Sequence, residues 1–256
     1  MPPRSDWASE FVWQLREVLV VAKKNAMVYY LKPPVVTFGI IFPVFFYLAF
    51  AAGHKAPVSV MVPGIVAMAL FFTASAVGPL VTPWERQART YERLVTSPAG
   101  LSAIVGGDVL AGTLFGLLLS LVPLAAALGF TSAQVTHPTA LLGGLLFGAF
   151  SFSALGVLLA APATEGPSQV MMLSNLVRLP LMFVSGVFVP HAEMARWGRW
   201  LSPVSPLSYC ADLVRVGFGE PAYWSVQTDV AVLAAMAAAF GVLTIRIHAM
   251  TRDKSH

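Results

Sequence analysis

The segment WERQARTYERLVTSP, residues 84–98, is a short charged stretch set between two long apolar runs. It holds five of the 28 Asp, Glu, Lys and Arg residues in this 256-residue chain. Helical spacing places its apolar and charged side chains on opposite faces: Trp84, Ala88, Tyr91 and Val95 against Glu85, Arg89 and Glu92. The helix should end at Ser97, because the residue before Pro98 avoids the helical region. An amphipathic helix between two spans suggests a surface that is presented to a partner in water. The alternative is a solvated loop helix without a partner.

The composition excludes an ordinary soluble domain. Hydrophobic residues make up 57% of the chain, and the mean hydropathy is +0.74. Several runs approach the roughly 20 apolar residues that a helix needs to cross the bilayer core. These runs are continuously apolar, whereas strands of a membrane barrel alternate apolar and polar residues. The pattern predicts six transmembrane helices at about Val35–Ala52, Val58–Pro83, Ser102–Phe130, Ala140–Ala161, Ser168–Val189 and Thr228–Ile247.

The predicted fold is therefore an all-α integral membrane protein with one transmembrane domain over residues 1–256. Residues 1–34 form an N-terminal amphipathic helix on the membrane surface, residues 35–247 the six-span bundle, and residues 248–256 a tail. A soluble helix packed on a partner is the alternative for residues 1–34. These residues carry both charge signs, whereas the start of a signal peptide is short and simply basic. We therefore expect the first apolar run to remain in the protein.

Positive charge fixes the predicted orientation. Eleven of the 16 Lys and Arg residues fall on the side of the termini, and four fall on the other side. Cytoplasmic loops carry the excess of Lys and Arg, so both termini should be cytoplasmic in a multi-pass protein of the plasma (inner) membrane. The net charge of +4 is explained by this topology and requires no nucleic acid. The lipid bilayer is the expected surrounding partner.

Two further regions are candidate functional sites. Arg178 falls near the middle of the fifth predicted span, where a charge costs at least about 2.5–3.5 kcal/mol. Asp108 or Asp212 could neutralise it, and these three residues mark a possible pathway. The outer segment 190–227 is rich in aromatic residues, which suggests short re-entrant helices that act in gating or as a packed cap.

No residue pattern points to catalysis or to a metal. The single cysteine, Cys210, excludes a multi-cysteine site, and the five histidines are scattered. The acidic residues lie on both sides of the predicted membrane, without a paired histidine or nucleophile motif. The chain also has no Gly-x-x-x-x-Gly-Lys-Ser/Thr sequence, so it should not hold ATP phosphates in the manner of a P-loop.

Two sequence stretches resemble the membrane subunit of type-2 ABC exporters, the family of drug, lipid and polysaccharide exporters. ERLVTSP at residues 92–98 is similar to the Glu-x-Leu-x-x-Ser/Thr-Pro stretch after the second span of that family. FVSGVFVP at 183–190, followed by PVSPLSY at 203–209 and then by Asp212 and Arg215, is the second match. The family usually has a glycine in the approach to the first stretch, where this chain has RQART at residues 86–90.

The resemblance implies a coupling helix in the first cytoplasmic loop and re-entrant outer helices. It also implies a second permease subunit, as a homodimer, bound to two ABC ATPase subunits. ATP and Mg²⁺ would sit on the partner ATPase, and this chain would bind no cofactor and catalyse no reaction by itself. The predicted ATPase-coupling residues are Glu85, Arg86, Arg89, Tyr91, Glu92, Arg93, Ser97 and Pro98.

The expected function is that of the transmembrane subunit of an ATP-driven exporter, which forms the translocation pathway. Its substrate would be an amphipathic drug, a lipid or a glycoconjugate. A channel and an integral membrane enzyme acting on lipid are the alternatives. A channel would be expected to show a filter-like repeat or a ring of charge, and the sequence shows neither.

Overall fold

The computed structural model describes residues 7–29, 41, 45, 58–87, 101–162, 166–188, 191 and 194–253. Within these ranges the regular elements are all helical, as predicted. They are α1 (Trp7–Tyr29), α2 (Val58–Ala74), α3 (Val77–Gln87), α4 (Leu101–Phe130), α5 (Pro138–Ala160), α6 (Pro167–Val184), α7 (Arg196–Leu201), α8 (Pro206–Gly217) and α9 (Val226–Asp253). A 3-10 turn, Ser202–Val204, follows α7.

Four described stretches are long and apolar enough to cross a membrane: Met61–Glu85, Leu101–Phe130, Pro138–Ala160 and Val226–Met250. They correspond to the second, third, fourth and sixth predicted spans. A shorter apolar helix, Ser168–Val184, corresponds to the fifth. The predicted first span, Val35–Ala52, lies outside the described residues apart from positions 41 and 45. The multi-helix membrane fold is therefore confirmed, and the count of six spans stays a prediction.

The fifth apolar helix is shorter than the predicted Ser168–Val189, because its end is capped. Helix α6 ends at Val184, and the Ser185 hydroxyl donates to the Met182 carbonyl over 2.6 Å. Gly186 then adopts a positive φ of 78°. A left-handed residue just after a helix stops its continuation, and glycine does this without steric cost. The chain therefore leaves the helix one turn earlier than hydropathy indicates.

The helix contacts define two opposite ends of the bundle. At one end, α1 packs on the start of α4, where Val18 and Val21 contact Gly106 and Gly107. At the other end, the Gly217 carbonyl at the end of α8 accepts backbone N–H groups from the two residues that precede α5. We name these the α1 end and the cap end. The cap itself consists of residues 185–225 that the structure describes.

The second predicted span is broken in the middle. Helix α2 ends at Ala74 and α3 begins at Val77, and the hydroxyl of Ser75 donates to the Phe71 carbonyl over 2.5 Å. Pro79 has no N–H to donate to the Ser75 carbonyl four residues earlier, so this carbonyl is released from the helix ladder. The break is thus encoded by a proline, and small residues of α5 accommodate it.

Glycines bring the helix backbones into close contact around this break. A Cβ on Gly78 would lie 2.5 Å from the Gly156 carbonyl carbon, and a Cβ on Gly156 would collide with the Ser75 carbonyl group. A Cβ on Gly116 of α4 would lie 2.6 Å from that of Ala74. Close approach of this kind is how small residues hold membrane helices together. The two Gly-x-x-x-Gly pairs in the sequence (112/116 and 144/148) pack within this chain.

Large apolar side chains fill the space beside these crossings. The rings of Phe71 and Phe152 meet edge to face with centroids 5.0 Å apart, and both residues are buried. Helix α8 inserts its apolar side against α5, where the thiol of Cys210 lies 3.3 Å from the Gly144 carbonyl oxygen. The core is therefore continuous from the α2/α3 break to the cap.

Gly156→Ala should destabilise the bundle, because the added methyl group collides with the Ser75 backbone. Overpacking of this kind lowers the free energy of unfolding by about 1–3 kcal/mol. Thermal unfolding of the purified protein in detergent would show this as a lower Tm. The matched control is Gly241→Ala in α9, where nothing lies within 4 Å of the added Cβ. Equal Tm values for the two variants would contradict the close crossing.

Candidate functional site

The structure describes only the first part of the candidate coupling segment. Helix α3 continues through Gln87 and includes Glu85 and Arg86, while Trp84 is 43% exposed. The other predicted coupling residues lie outside the described residues: Arg89, Tyr91, Glu92, Arg93, Ser97 and Pro98. Within the described residues, α3 therefore carries this segment to the α1 end of the bundle.

The helical pattern of the segment predicts that Glu85 lies on an exposed polar face. The structure does not place it there. It is buried and forms an ion pair with Lys24 of α1. About two turns into α4, the Asp108 carboxylate accepts a hydrogen bond of 2.6 Å from the Asn25 side-chain amide. Two neighbouring residues of α1 thus hold two different membrane helices. We name the four residues Lys24, Asn25, Glu85 and Asp108 the α1 clasp.

Sequence reasoning missed the role of Lys24 and Asn25. These residues are separated from their partners by 61 and 83 positions, and no local periodicity reports contacts over such distances. The sequence shows only that an amide, Asn25, follows two lysines in an amphipathic helix. The clasp brings the two predicted site residues Glu85 and Asp108 close enough to interact electrostatically.

Arg178 lies deep in the bundle and pairs with neutral groups. Its guanidinium donates to the Ser75 hydroxyl over 3.2 Å, to the Asn175 side-chain oxygen over 2.9 Å and to the Ser174 carbonyl over 3.4 Å. It also lies 5.7 Å from the centre of the Phe72 ring. Among the described residues no carboxylate forms an ion pair with Arg178, so neither Asp108 nor Asp212 is the direct partner that the sequence allowed.

The reason is the location of the two carboxylates. Asp108 is held by α1 at one end of the bundle, and Asp212 is held in the cap at the other. Arg178 lies between them, at the α2/α3 break. Its contact with Ser75 links α6 to the residue where the second span is interrupted. The structure therefore shows Arg178 bridging α6 and the break.

Asp212 and Arg215 join the parts of the cap. Both carboxylate oxygens of Asp212 accept the Tyr223 backbone N–H at 3.0 Å, and one accepts the Trp224 N–H at 2.9 Å. Arg215 donates to the Gly186 carbonyl over 2.5 Å and lies 3.7 Å from a Glu220 carboxylate oxygen. Asp212 thus holds the chain that enters α9, and Arg215 holds the chain that leaves α6. The Asp-x-x-Arg spacing places both on α8.

A buried hydrogen-bond chain lies beneath these contacts. The Ser208 hydroxyl donates to the Ser202 carbonyl over 2.7 Å, and the Ser202 hydroxyl donates to the Ser208 oxygen over 3.0 Å. The Ser202 oxygen is therefore left to accept from His191 Nε2, 2.5 Å away. The His191 ring also stacks on Tyr223 with centroids 4.7 Å apart. This arrangement requires a proton on Nε2, which the imidazolium and the neutral form protonated on Nε2 both carry.

The surroundings of His191 favour that neutral form. Burial lowers its pKa below the usual value, the positive charge of Arg215 lowers it further, and Asp212 opposes both effects. His191 Nδ1 is buried without a hydrogen-bond partner among the described residues. A proton added to Nδ1 would therefore have no acceptor there and would lie close to a guanidinium. Protonation should disrupt the cap.

Reversing the charge of either ion-pair residue in the α1 clasp should lower the Tm. Lys24→Glu and Glu85→Lys each leave two like charges at the contact between α1 and α3. The combined swap restores the opposite charges and should recover a large part of the loss, which thermal unfolding of all four proteins in detergent would measure. A double variant no more stable than the single variants would contradict the pairing.

Acid should destabilise the cap through His191. Its pKa is lowered by folding, so its stabilising effect is present above the unfolded value of about 6.5 and is lost as the pH falls below it. The Tm of the wild-type protein should therefore fall between about pH 6.5 and pH 5. His191→Gln should flatten this dependence, whereas the exposed His137→Gln should leave it unchanged. Identical profiles for wild type and His191→Gln would contradict the assignment.

Comparison with known proteins identifies the family. The model of the ABC-2 type transporter family matches residues 16–218. The daunorubicin resistance ABC transporter permease protein DrrB1 of Streptomyces coeruleorubidus is 29% identical over 223 residues, which cover 82% of this chain and 75% of that protein. Nodulation protein J of Bradyrhizobium diazoefficiens is 30% identical over 138 residues, 50% of this chain and 48% of that protein.

The family match includes the α1 clasp, the α2/α3 break, Arg178 and the joining residues of the cap. It covers well over half of the chain, and the apolar helices agree with a multi-pass membrane location. A permease of this family is a membrane component of a transporter and is not an enzyme by itself. The chain therefore belongs to the ABC-2 type transporter family, as a type-2 ABC permease.

Proposed function

We propose that this permease is the translocation subunit of an ATP-driven exporter and is coupled to a separate ATPase through residues 84–98. The observation that carries the proposal is the position of α3. This helix runs from the break in the second span to the α1 end and leads directly into the charged segment. A force applied to that segment would act on the end of α3.

The α1 clasp supports the same role. Glu85, at the end of α3, is fixed to α1 by Lys24, and α1 is fixed to α4 by Asn25 and Asp108. A movement of the coupling segment would therefore move three helices together and not bend one loop. Such a rigid connection is what transmission from an ATPase requires, because energetic coupling depends on elements that have discrete arrangements.

The proposed orientation places the α1 end in the cytoplasm. The excess of positive charge near the termini and in the 84–98 segment supports it. In this orientation the amphipathic helix α1, which exposes Trp13, Leu19 and Val20, would lie on the inner membrane surface. The ATPase would bind ATP and Mg²⁺, and a second copy of this permease would complete the translocation pathway.

The cap would then lie at the outer end of the pathway. Helix α8 has 12 residues, too few to cross a bilayer core of roughly 30 Å at about 1.5 Å per residue. It begins near Leu181 of α6, whose carbonyl accepts from Ser205, and it ends beside Leu141 at the start of α5. This path supports a re-entrant helix that enters from the cap end and returns. ATP binding would close the partner ATPase, and the ATPase would then contact the permease differently from before. This difference in contacts would favour one arrangement of the cap over another.

We propose an amphipathic drug, a lipid or a glycoconjugate as the substrate. One relative is named for daunorubicin resistance, which supports a drug, and the other is named for nodulation. The exposed surface of the membrane helices is strongly apolar, which suits a molecule that reaches the pathway from lipid. A channel would be expected to present a charged ring or a filter, and the described helices present neither.

The test is to purify a tagged copy in mild detergent from cells that co-express the candidate ATPase. Glu92→Ala with Arg93→Ala should abolish co-purification of the ATPase and substrate-stimulated ATP hydrolysis, because these charges lie in the centre of the coupling segment. The matched control is Lys55→Ala with Glu193→Ala, which removes one basic and one acidic side chain from the side of the membrane predicted to lie opposite the coupling segment.

The control pair should retain the ATPase at about equal stoichiometry. Circular dichroism and the Tm must show that both double variants fold. Normal assembly and ATP hydrolysis by the Glu92/Arg93 variant would refute the coupling assignment. A folded wild-type chain that never binds an ATPase would instead favour the channel.

A further inference from the structure

A groove on the surface of the cap carries an unassigned set of side chains. Its volume is about 640 Å³, and its lining consists of Arg196, Arg199, Trp200, Pro203 and Tyr223. Helix α7 supplies the first three of these, the 3-10 turn the fourth, and the segment before α9 the fifth. None of these residues belongs to the α1 clasp or to the coupling segment. The groove is therefore separate from the proposed ATPase contact.

The groove is positively charged. Arg196 and Arg199 are three residues apart and therefore lie on the same side of α7, and both are exposed. Neither forms an ion pair with any carboxylate in the part of the chain that the structure describes. Glu220, an acidic residue that follows α8, pairs with Arg215. Two guanidinium groups at one opening are suited to an oxyanion, because each presents several N–H donors.

The surface beside the arginines is apolar and uncovered. The exposed fractions are 68% for Trp197, 81% for Trp200, 49% for Leu201 and 62% for Val204. Tryptophan side chains next to cations are typical of the membrane–water interface, where the rings lie at headgroup level. A site for a freely soluble anion would not need this exposed apolar border. The combination points to a ligand with an anionic head and a hydrocarbon tail.

The location of the groove agrees with such a ligand. Tyr223 is fixed by Asp212 directly before α9 begins at Val226, and α9 is one of the long apolar helices. The groove therefore lies where the hydrophobic part of the bundle ends. A phospholipid in the adjacent leaflet would have its phosphate near this depth if its acyl chains lie beside the apolar helices.

We propose that this groove binds the phosphate of an anionic phospholipid from the leaflet at the cap end. Arg196 and Arg199 donate hydrogen bonds to the phosphate oxygens, and Trp197, Trp200 and Leu201 lie against the acyl chains. Because Tyr223 is shared with the His191 stack, the bound lipid also stabilises the cap. This site does not depend on the ATPase or on the direction of transport.

The test is native mass spectrometry of the delipidated protein in a neutral detergent, titrated with phosphatidylglycerol. Arg196→Gln with Arg199→Gln should weaken binding by roughly ten- to thirty-fold, as expected for two cation contacts at a membrane surface. The matched control, Arg16→Gln with Arg246→Gln, removes two exposed arginines from α1 and from the later part of α9. It should retain the wild-type affinity at this site.

Three further arms make the result decisive. Diacylglycerol, which lacks the phosphate, and inorganic phosphate, which lacks the tail, should each bind at least ten-fold more weakly than phosphatidylglycerol. Arg196→Lys with Arg199→Lys should restore a large part of the affinity, which separates loss of charge from loss of fold. Unchanged binding by the Gln variant, or an equal loss in the control, would overturn the proposal. Inorganic phosphate binding as tightly as the lipid would show a soluble-anion site instead.

Discussion

The close contact between the broken second span and α5 is the constraint on which the rest of the bundle depends. Pro79 releases the carbonyl of Ser75 from the helix ladder, and Gly156 leaves the space into which that backbone fits. Gly112 and Gly116 of α4 approach Ala74 from another side. Three helices therefore meet at backbone distance around one irregular point. In lipid, where the hydrophobic effect does not drive helices together, such packing is a main source of association.

Buried polar groups extend from this point toward both ends. Arg178 contacts the Ser75 hydroxyl and so joins α6 to the break. The end of α6 is held in turn by Arg215 through the Gly186 carbonyl, while α3 runs from the break to the α1 clasp through Glu85. The described contacts thus form a continuous physical connection from the α1 end to the cap. This continuity supports the proposal that the broken span carries an ATPase-driven movement.

The cap is organised differently from the apolar bundle that it closes. Its parts are held by directed hydrogen bonds from Asp212, Arg215 and the His191–Ser202–Ser208 chain. Hydrogen bonds fix one arrangement of the cap, but protonation of a partner or movement of a backbone segment can break them. The packing of the glycine crossings does not depend on charge. A stable bundle that carries a more easily rearranged cap agrees with the proposed position of the cap at the outer end of the pathway.

The sequence by itself determined the membrane class, the helical fold, the approximate positions of the described spans and the family resemblance. These follow from continuous apolar runs and local motifs, which depend on neighbouring residues only. The sequence linked Asp212 with Arg215 only through the second stretch that resembles the family. It did not predict the early end of the fifth span, because hydropathy does not register the backbone angle of Gly186.

Only the tertiary structure decided which charged residues meet. Lys24 contacts Glu85 over 61 positions and Asn25 contacts Asp108 over 83. Arg178, for which the sequence allowed a carboxylate partner, contacts Ser75 and Asn175. The physical reason is that the partner of a buried polar group is set by which helices cross and at what depth. That depth was fixed here by glycines and a proline, whose effect on packing cannot be read until the helices are placed against one another.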